Sequence, residues 1–172
     1  RKRTLRDYTY NAGAHVLGSV GEVNQNDIDR DAYYDRGDYS GRDGIEQTYE
    51  SDLRGEKGVE VLMRDSRGRI QGSYHNGESD RPAKAGKDLT LTLDIQLQIL
   101  AEELLQNKTG SVVAIEPATG EILALASSPT WDPKVLVGKE RSANYNALLQ
   151  DKSKPLLNRA TQATYPPGST FK

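Results

Sequence analysis

Cysteine is absent from the sequence, which excludes disulfides, thiolate metal centres and a cysteine nucleophile. The absence fits many compartments and selects none. Histidine is nearly absent as well. His15 lies in an apolar run and His75 in a polar stretch, and neither belongs to a recognisable triad or metal-ligand pattern. A charge of one sign is also lacking. Lys and Arg number 23 against 25 Asp and Glu, a net charge of -2, so no basic field marks a nucleic-acid surface. No stretch approaches the ~20 apolar residues that a membrane-spanning helix requires. There is no signal-peptide pattern, and residue 1 is Arg rather than Met. Any export signal or membrane anchor is therefore expected upstream of Arg1.

What remains is a soluble profile, with 35% hydrophobic and 28% charged residues in 172 positions. That is enough chain for one ordinary domain or two small ones. The character changes near residue 85. Before it, the chain is polar and rich in Gly, Asp and Arg; after it, periodic patterns begin. "SYHNGESDRPAKAGKD" (73–88) has the makeup of a loop or domain linker.

In the first half, "AGAHVLGSVGEV" (12–23) reads as a strand pair or a buried loop. "DGIEQTYESDLRG" (43–55) predicts a helix: Asp43 and Glu46 match a capping box, Ile45, Tyr49 and Leu53 repeat every four residues, and Gly55 suits a left-handed stop. "VEVLM" and "RIQGSY" flank "RDSRG" and predict a hairpin. In the second half, Leu89, Leu91 and Leu93 alternate with Thr90 and Thr92, a strand pattern. Asp94 then caps a predicted helix over 95–106, with Leu97, Leu100, Ala101 and Leu104 as its apolar stripe and Glu102 and Glu103 on its solvated side. "SVVAIE" and "EILALA" flank "PATG" and predict a tight hairpin, apolar on nearly every position. Both of its faces are expected to be covered.

The final residues, "YPPGSTFK", carry the chemistry. Ser169 and Lys172 are spaced i, i+3 and would share a helix face. Unpaired N–H groups in a first helical turn can stabilise an oxyanion, and a neutral Lys can take a Ser proton. Alone, this four-residue pattern is weak, and its plain alternative is a solvated helix start. "DIDRDAYYDRGD" (27–38) spaces five aspartates like a calcium loop, but Ala32 stands at the glycine position and Asp38 at the final bidentate Glu. A solvated acidic loop or short capped helix is the preferred reading, and no metal or cofactor is expected.

Context strengthens the Ser-Lys pair. "LLNRATQATYPPGSTFK" (156–172) resembles the start of the transpeptidase domain of class B penicillin-binding proteins. "GSVVAIEPATGEILALASSPTWDP" (110–133) resembles the strand pair before it, and "DLTLTLDIQLQILAEELL" (88–105) the opening strand and helix. "GRDGIEQTYESDLRGEKG" (41–58) and "AHVLGSVGEVN" (14–24) resemble the non-catalytic pedestal. "NRA" followed by "YPPGST" is similar to the elongation type more than the division type. The resemblance implies an α+β chain: a pedestal, or dimerisation-type, domain at 1–85 and the incomplete start of a transpeptidase (serine β-lactamase-like) domain at 86–172. It implies Ser169 as the acylated nucleophile and Lys172 as its base. The reaction would be D,D-transpeptidation of peptidoglycan stem peptides outside the cytoplasmic membrane, on the periplasmic side, with β-lactams acylating the same Ser. Implied partners are a membrane glycan polymerase and cell-shape scaffold proteins.

The family also uses Ser-x-Asn and Lys-Thr-Gly motifs after S-x-x-K, and neither follows Lys172. The chain alone is therefore expected to be inactive. "KTG" at Lys108–Gly110 precedes the serine and reads as a helix stop at Asn107 and Gly110. Two alternatives stand beside the transpeptidase reading. One is a non-catalytic interaction module for cell-wall partners; the other is a β-lactam sensor or serine β-lactamase relative.

Overall fold

The structure is a computed structural model, and it describes residues 6–166 and 168–170. The elements follow in the order α1 (Ala14–Leu17), β1 (Val20–Glu22), α2 (Gln25–Arg30), β2 (Tyr39–Gly41), α3 (Gly44–Thr48), α4 (Glu50–Leu53), β3 (Leu62–Arg64) and β4 (Ile70–Ser73). After these come α5 (Ile95–Leu104), β5 (Gly110–Ile115), β6 (Ile122–Ser128) and α6 (Arg141–Gln150). Turns of 3-10 helix lie at Tyr74–Gly77, Pro133–Leu136 and Gly168–Thr170. The mixture is α+β, as the sequence implies. Among the described residues the strands form three separate two-stranded antiparallel sheets: β1–β2, joined through α2, and the hairpins β3–β4 and β5–β6. The chain divides into two compact units. One comprises Arg1–Thr48 with Leu91–Lys172, the other Tyr49–Thr90.

The first unit contains the core. Residues 12–23 are neither a strand pair nor a loop: they form the single turn of α1 and then β1, which pairs with β2 in the register Val20↔Gly41. Ala14 packs with Trp131 and Leu136, and Tyr145, Leu148 and Leu156 close around them. The His15 ring meets Trp131 edge to face, with centroids 4.5 Å apart. Its Nε2 lies 2.8 Å from the Pro155 carbonyl. A carbonyl only accepts, so Nε2 carries the proton and Nδ1 is left to accept from Thr130 Oγ1 at 3.4 Å. Burial lowers the His15 pKa from 6.5, because desolvation disfavours the imidazolium.

The predicted helix over 43–55 is divided into α3 and α4, with Tyr49 between them out of helical conformation. The capping box does not form. The Asp43 carboxylate accepts from the Ser19 N–H, and Glu46 is drawn to Arg6, whose guanidinium donates to both Glu46 oxygens at 2.6 and 2.7 Å. A bidentate, half-buried ion pair outweighs a local cap.

Helix α5 forms as predicted. Asp94 caps it, accepting from the Gln96 and Leu97 N–H groups. Its buried face differs from the predicted stripe: Gln98, Ala101 and Leu105 face inward, while Leu100 and Leu104 are exposed. Ala101 and Leu105 pack on Ala126 of β6. Gln98 is 1% exposed and treats the edge of β6 as a neighbouring strand would. Its Oε1 accepts from the Leu125 N–H at 2.8 Å, and its Nε2 donates to the Leu125 carbonyl at 3.0 Å. Glu102, expected in solvent, accepts from Gln98 Nε2 and from the Gly13 N–H.

The Leu/Thr alternation over 89–93 produces no ladder strand. Its end runs beside β6 through two bonds, Thr92 Oγ1 to the Ile122 carbonyl and the Asp94 N–H to the Leu123 carbonyl. The β5–β6 hairpin forms with a register shift at Ala114/Ile115. Because both main-chain groups of Leu125 are taken by Gln98, its partner Val113 must aim its own N–H and carbonyl away from β6. Val112, Val113, Ile115 and Ile122 stay exposed, so the expected covering of both faces is not met among the described residues.

The second unit has no buried residue. Its hairpin, β3–β4, turns on Asp65, whose Oδ1 accepts from the Arg67 and Arg69 N–H groups and whose Oδ2 accepts from Arg69 Nε. These bonds, the Arg69 amide first, hold the Asp65 carboxyl below its ordinary range. The stretch 73–88, read from the sequence as a loop or linker, is only partly that: Ser73 ends β4, Tyr74–Gly77 form a 3-10 turn, and 78–88 run outside helix and strand but tethered. Bridges join Glu56 to Lys84 and Val59 to Arg81. Gly55 takes the left-handed conformation expected of it (φ 67°). At Gly86 a Cβ would stand 2.1 Å from the Leu53 carbonyl oxygen, so only glycine lets the two backbones approach.

Candidate active site

The segment leading to Ser169 begins after α6 and is built on turns. Asp151 opens it, accepting from the Ser153 N–H, a bond that heads the causes lowering its pKa. The Lys154 N–H returns to the Asp151 carbonyl, and Lys154 itself sits at φ 53°. These turns point successive carbonyls inward. Arg159 fills the space they enclose, only 7% exposed. Its guanidinium donates to the carbonyls of Ser153 (2.7 Å), Lys154 (3.1 Å) and Leu157 (3.4 Å). Among the described residues it forms no ion pair, so carbonyl dipoles alone compensate a buried cation.

The same residue is fastened to β6. The Arg159 N–H donates to Ser127 Oγ at 3.0 Å, and that hydroxyl donates to the Leu157 carbonyl at 3.2 Å. Ser127 is 1% exposed. Asn158 then starts a further turn, accepting from Ala160 through its side chain and from Gln162 through its carbonyl. Beyond it residues 163–166 form neither helix nor strand, and Ser169 is exposed in the 3-10 turn Gly168–Thr170. Lys172, the base implied by the resemblance, lies outside the described residues, as do Pro167 and Phe171.

The other sequence candidates resolve into structural roles. Just before "KTG", Asn107 takes the left-handed conformation (φ 60°) two residues past the Leu105 cap of α5, and Gly110 opens β5 rather than stopping the helix. The Lys108 carbonyl accepts from Ser128 Oγ. The aspartates of 27–38 serve caps and turns. Asp27 and Asn24 form a capping box on α2, and Asp27 also pairs with Arg42 at 2.8 Å. The Asn24 N–H, first, and Arg42 hold its carboxyl below the ordinary range. Asp31 accepts from the Tyr33 N–H and Asp38 from the Asp35 N–H. Among the described residues, no three His, Asp or Glu side chains gather as a metal ion requires.

With this geometry in hand, comparison with known proteins decides the family. The family model described as Penicillin-binding Protein dimerisation domain matches residues 1–91, and that of the Penicillin binding protein transpeptidase domain matches residues 110–172. The chain belongs to the class B penicillin-binding proteins. It is 40% identical over 174 aligned residues to the peptidoglycan D,D-transpeptidase MrdA of Escherichia coli K12, covering 97% of this chain and 27% of that protein. It is 42% identical over 162 residues to MrdA of Acinetobacter baumannii, covering 92% and 23%. Among solved structures, penicillin-binding protein 2 of Helicobacter pylori in complex with MreC matches with a TM-score of 0.80 at 30% identity, over 96% of this chain and 31% of that one. Penicillin-binding protein 2 of Pseudomonas aeruginosa in complex with WCK 5153 matches with a TM-score of 0.74 at 34% identity, over 96% and 33%. The chain thus spans about a quarter of the length of the curated relatives it matches. The relatives' names agree with the elongation-type resemblance and do not favour the non-catalytic reading.

Sequence reasoning singled out Ser169 but passed over the carbonyl cage around Arg159 and the Gln98 edge cap. The available signal was an Arg within "LLNRA", flanked by apolar and small residues, and a Gln at the i+4 position from the Asp94 cap.

Proposed function

We propose that the protein bearing this chain is a peptidoglycan D,D-transpeptidase and that Ser169 is its nucleophile and Lys172 its base. Ser169 Oγ attacks the carbonyl of the penultimate D-Ala of a stem peptide while the neutral Lys172 amine takes its proton. The terminal D-Ala leaves with that proton, giving a serine ester. An amine from a neighbouring strand then attacks the ester, forms the new amide and returns the proton to Ser169. A β-lactam follows the first half of this path and remains as the ester. One observation carries the reading: the transpeptidase family match over 110–172 includes an S-x-x-K whose serine is exposed.

The same proposal extends to domains, place and partners. Residues 1–85 form the pedestal and 86–172 open the catalytic domain, a division supported by the two family matches. The protein acts in cell-shape maintenance at the outer face of the cytoplasmic membrane, in the periplasm. It works with a cell-shape scaffold protein and a glycan polymerase. Support comes from two neighbours: the Helicobacter pylori complex with MreC, and a structure titled "Structural coordination of polymerization and crosslinking by a peptidoglycan synthase complex". The test is labelling of the complete protein with a fluorescent penicillin, followed by peptide mass mapping. Stoichiometric label on Ser169, abolished by Ser169→Ala, is expected. Undiminished label in Ser169→Ala would overturn the reading.

A further inference from the structure

Buried arginines are usually matched to carboxylates or phosphates. Arg159 is not: it is buried among backbone carbonyls of the turn immediately before it, and its own N–H is bonded to a fully buried serine of β6. Simple stabilisation is a weak account of this arrangement, because an apolar side chain would fill the space without the cost of desolvating a cation. What an apolar residue cannot do is hold the carbonyls of Ser153, Lys154 and Leu157 at fixed directions with one rigid, planar fork of donors. The cage therefore fixes a conformation.

The conformation it fixes is the approach to Ser169. Arg159 is the last residue before Ser169 whose main chain bonds to another element among the described residues. Beyond the turn started by Asn158, residues 163–166 form no helix or strand that could correct an error made upstream. Ser127 closes the arrangement. It accepts from the Arg159 N–H and donates to the Leu157 carbonyl, so β6, the caged turn and the outgoing chain share one hydroxyl.

We propose that Arg159 and Ser127 are positioning residues for the nucleophile, setting the point and direction from which the chain reaches Ser169. This rests on the transpeptidase reading. Neither residue touches substrate. Both act by placing Ser169 Oγ for attack, and a displacement of about 1 Å there costs roughly 100-fold in rate.

The test uses the complete protein and a chromogenic or fluorescent β-lactam, with the acylation rate measured across a range of β-lactam concentrations. Arg159→Met and, separately, Ser127→Ala are expected to lower the maximal acylation rate roughly 10- to 100-fold with little change in half-saturating concentration. Arg159→Lys, which keeps a cation but loses the planar fork, is expected to fall between Arg159→Met and the parent. Thermal unfolding and active-site titration count the folded fraction. If Arg159→Met does not fold, Ser127→Ala, a small change of shape, decides the matter. Maximal rates of the folded fraction within about twofold of the parent for the folded variants would overturn the proposal and leave Ser169 in place. Failure of the parent itself to acylate at Ser169 would instead remove the transpeptidase reading, and this proposal with it.

Discussion

The two compact units of this chain are held together by different physics. Residues 6–48 and those from 91 onward enclose apolar clusters, with Ala14, Ala124 and Ala126 fully buried and Leu136 nearly so. Residues 49–90 bury none. Their conformation rests on backbone bridges, on exposed ion pairs such as Lys84–Glu56 at 2.9 Å, and on glycines that let strands of backbone touch. The first unit gains from removing apolar surface from water, at about 25 cal/mol per Å². The second has little such term. It should open locally at much lower free energy than the first.

The comparison can be broken most forcefully at the core. Leu136→Ala removes a nearly fully buried side chain and should lower unfolding free energy by about 2–5 kcal/mol in chemical denaturation. In the second unit, Gly86→Ala forces a Cβ against the Leu53 carbonyl and should cost about 1–3 kcal/mol. Hydrogen exchange should then quicken at the amides of Glu56, Val59 and Lys84 and stay unchanged at Leu125. A uniform quickening would show that the two units are one cooperative body.

Acidification should strain the first unit through His15. The unfolded chain binds a proton there near pH 6.5, while the folded chain binds it only at lower pH. The unfolded state thus holds more protons in between, and stability falls as pH drops below about 6.5 until the folded value is passed. Melting temperature measured from pH 7.5 downward should show this fall, and His15→Gln should flatten it. The smallest effect is expected from salt. Glu56 and Lys84 are more than two-thirds exposed, and raising ionic strength should cost the second unit less than about 1 kcal/mol.

The same contrast explains what was legible in the sequence. Features written in adjacent residues were readable: the Asp94 cap, the turns at Pro117–Gly120 and Asp65–Gly68, and the left-handed stop at Gly55. The Leu/Thr alternation over 89–93 was real, since exposure alternates along it, but a strand also needs a ladder partner and none is formed. The capping box at Asp43 and Glu46 was written locally and lost to distant partners, Ser19 and Arg6. Gln98 and Arg159 left only a faint local trace, a Gln four residues after the Asp94 cap and an Arg among apolar and small residues, and their partners were not written there. A polar side chain on a buried face declares itself only when the groups it must satisfy arrive from elsewhere in the chain. The serine was visible through its motif, whereas the scaffold that aims it was not.

Gln98 has one more consequence. By occupying both hydrogen-bonding groups of Leu125, a side-chain amide brings the sheet to a close on that flank. Recruitment of additional strands, whether from the same polypeptide or another, is left to the flank where Val113 points outward, so assembly of any wider sheet on this hairpin has a built-in direction.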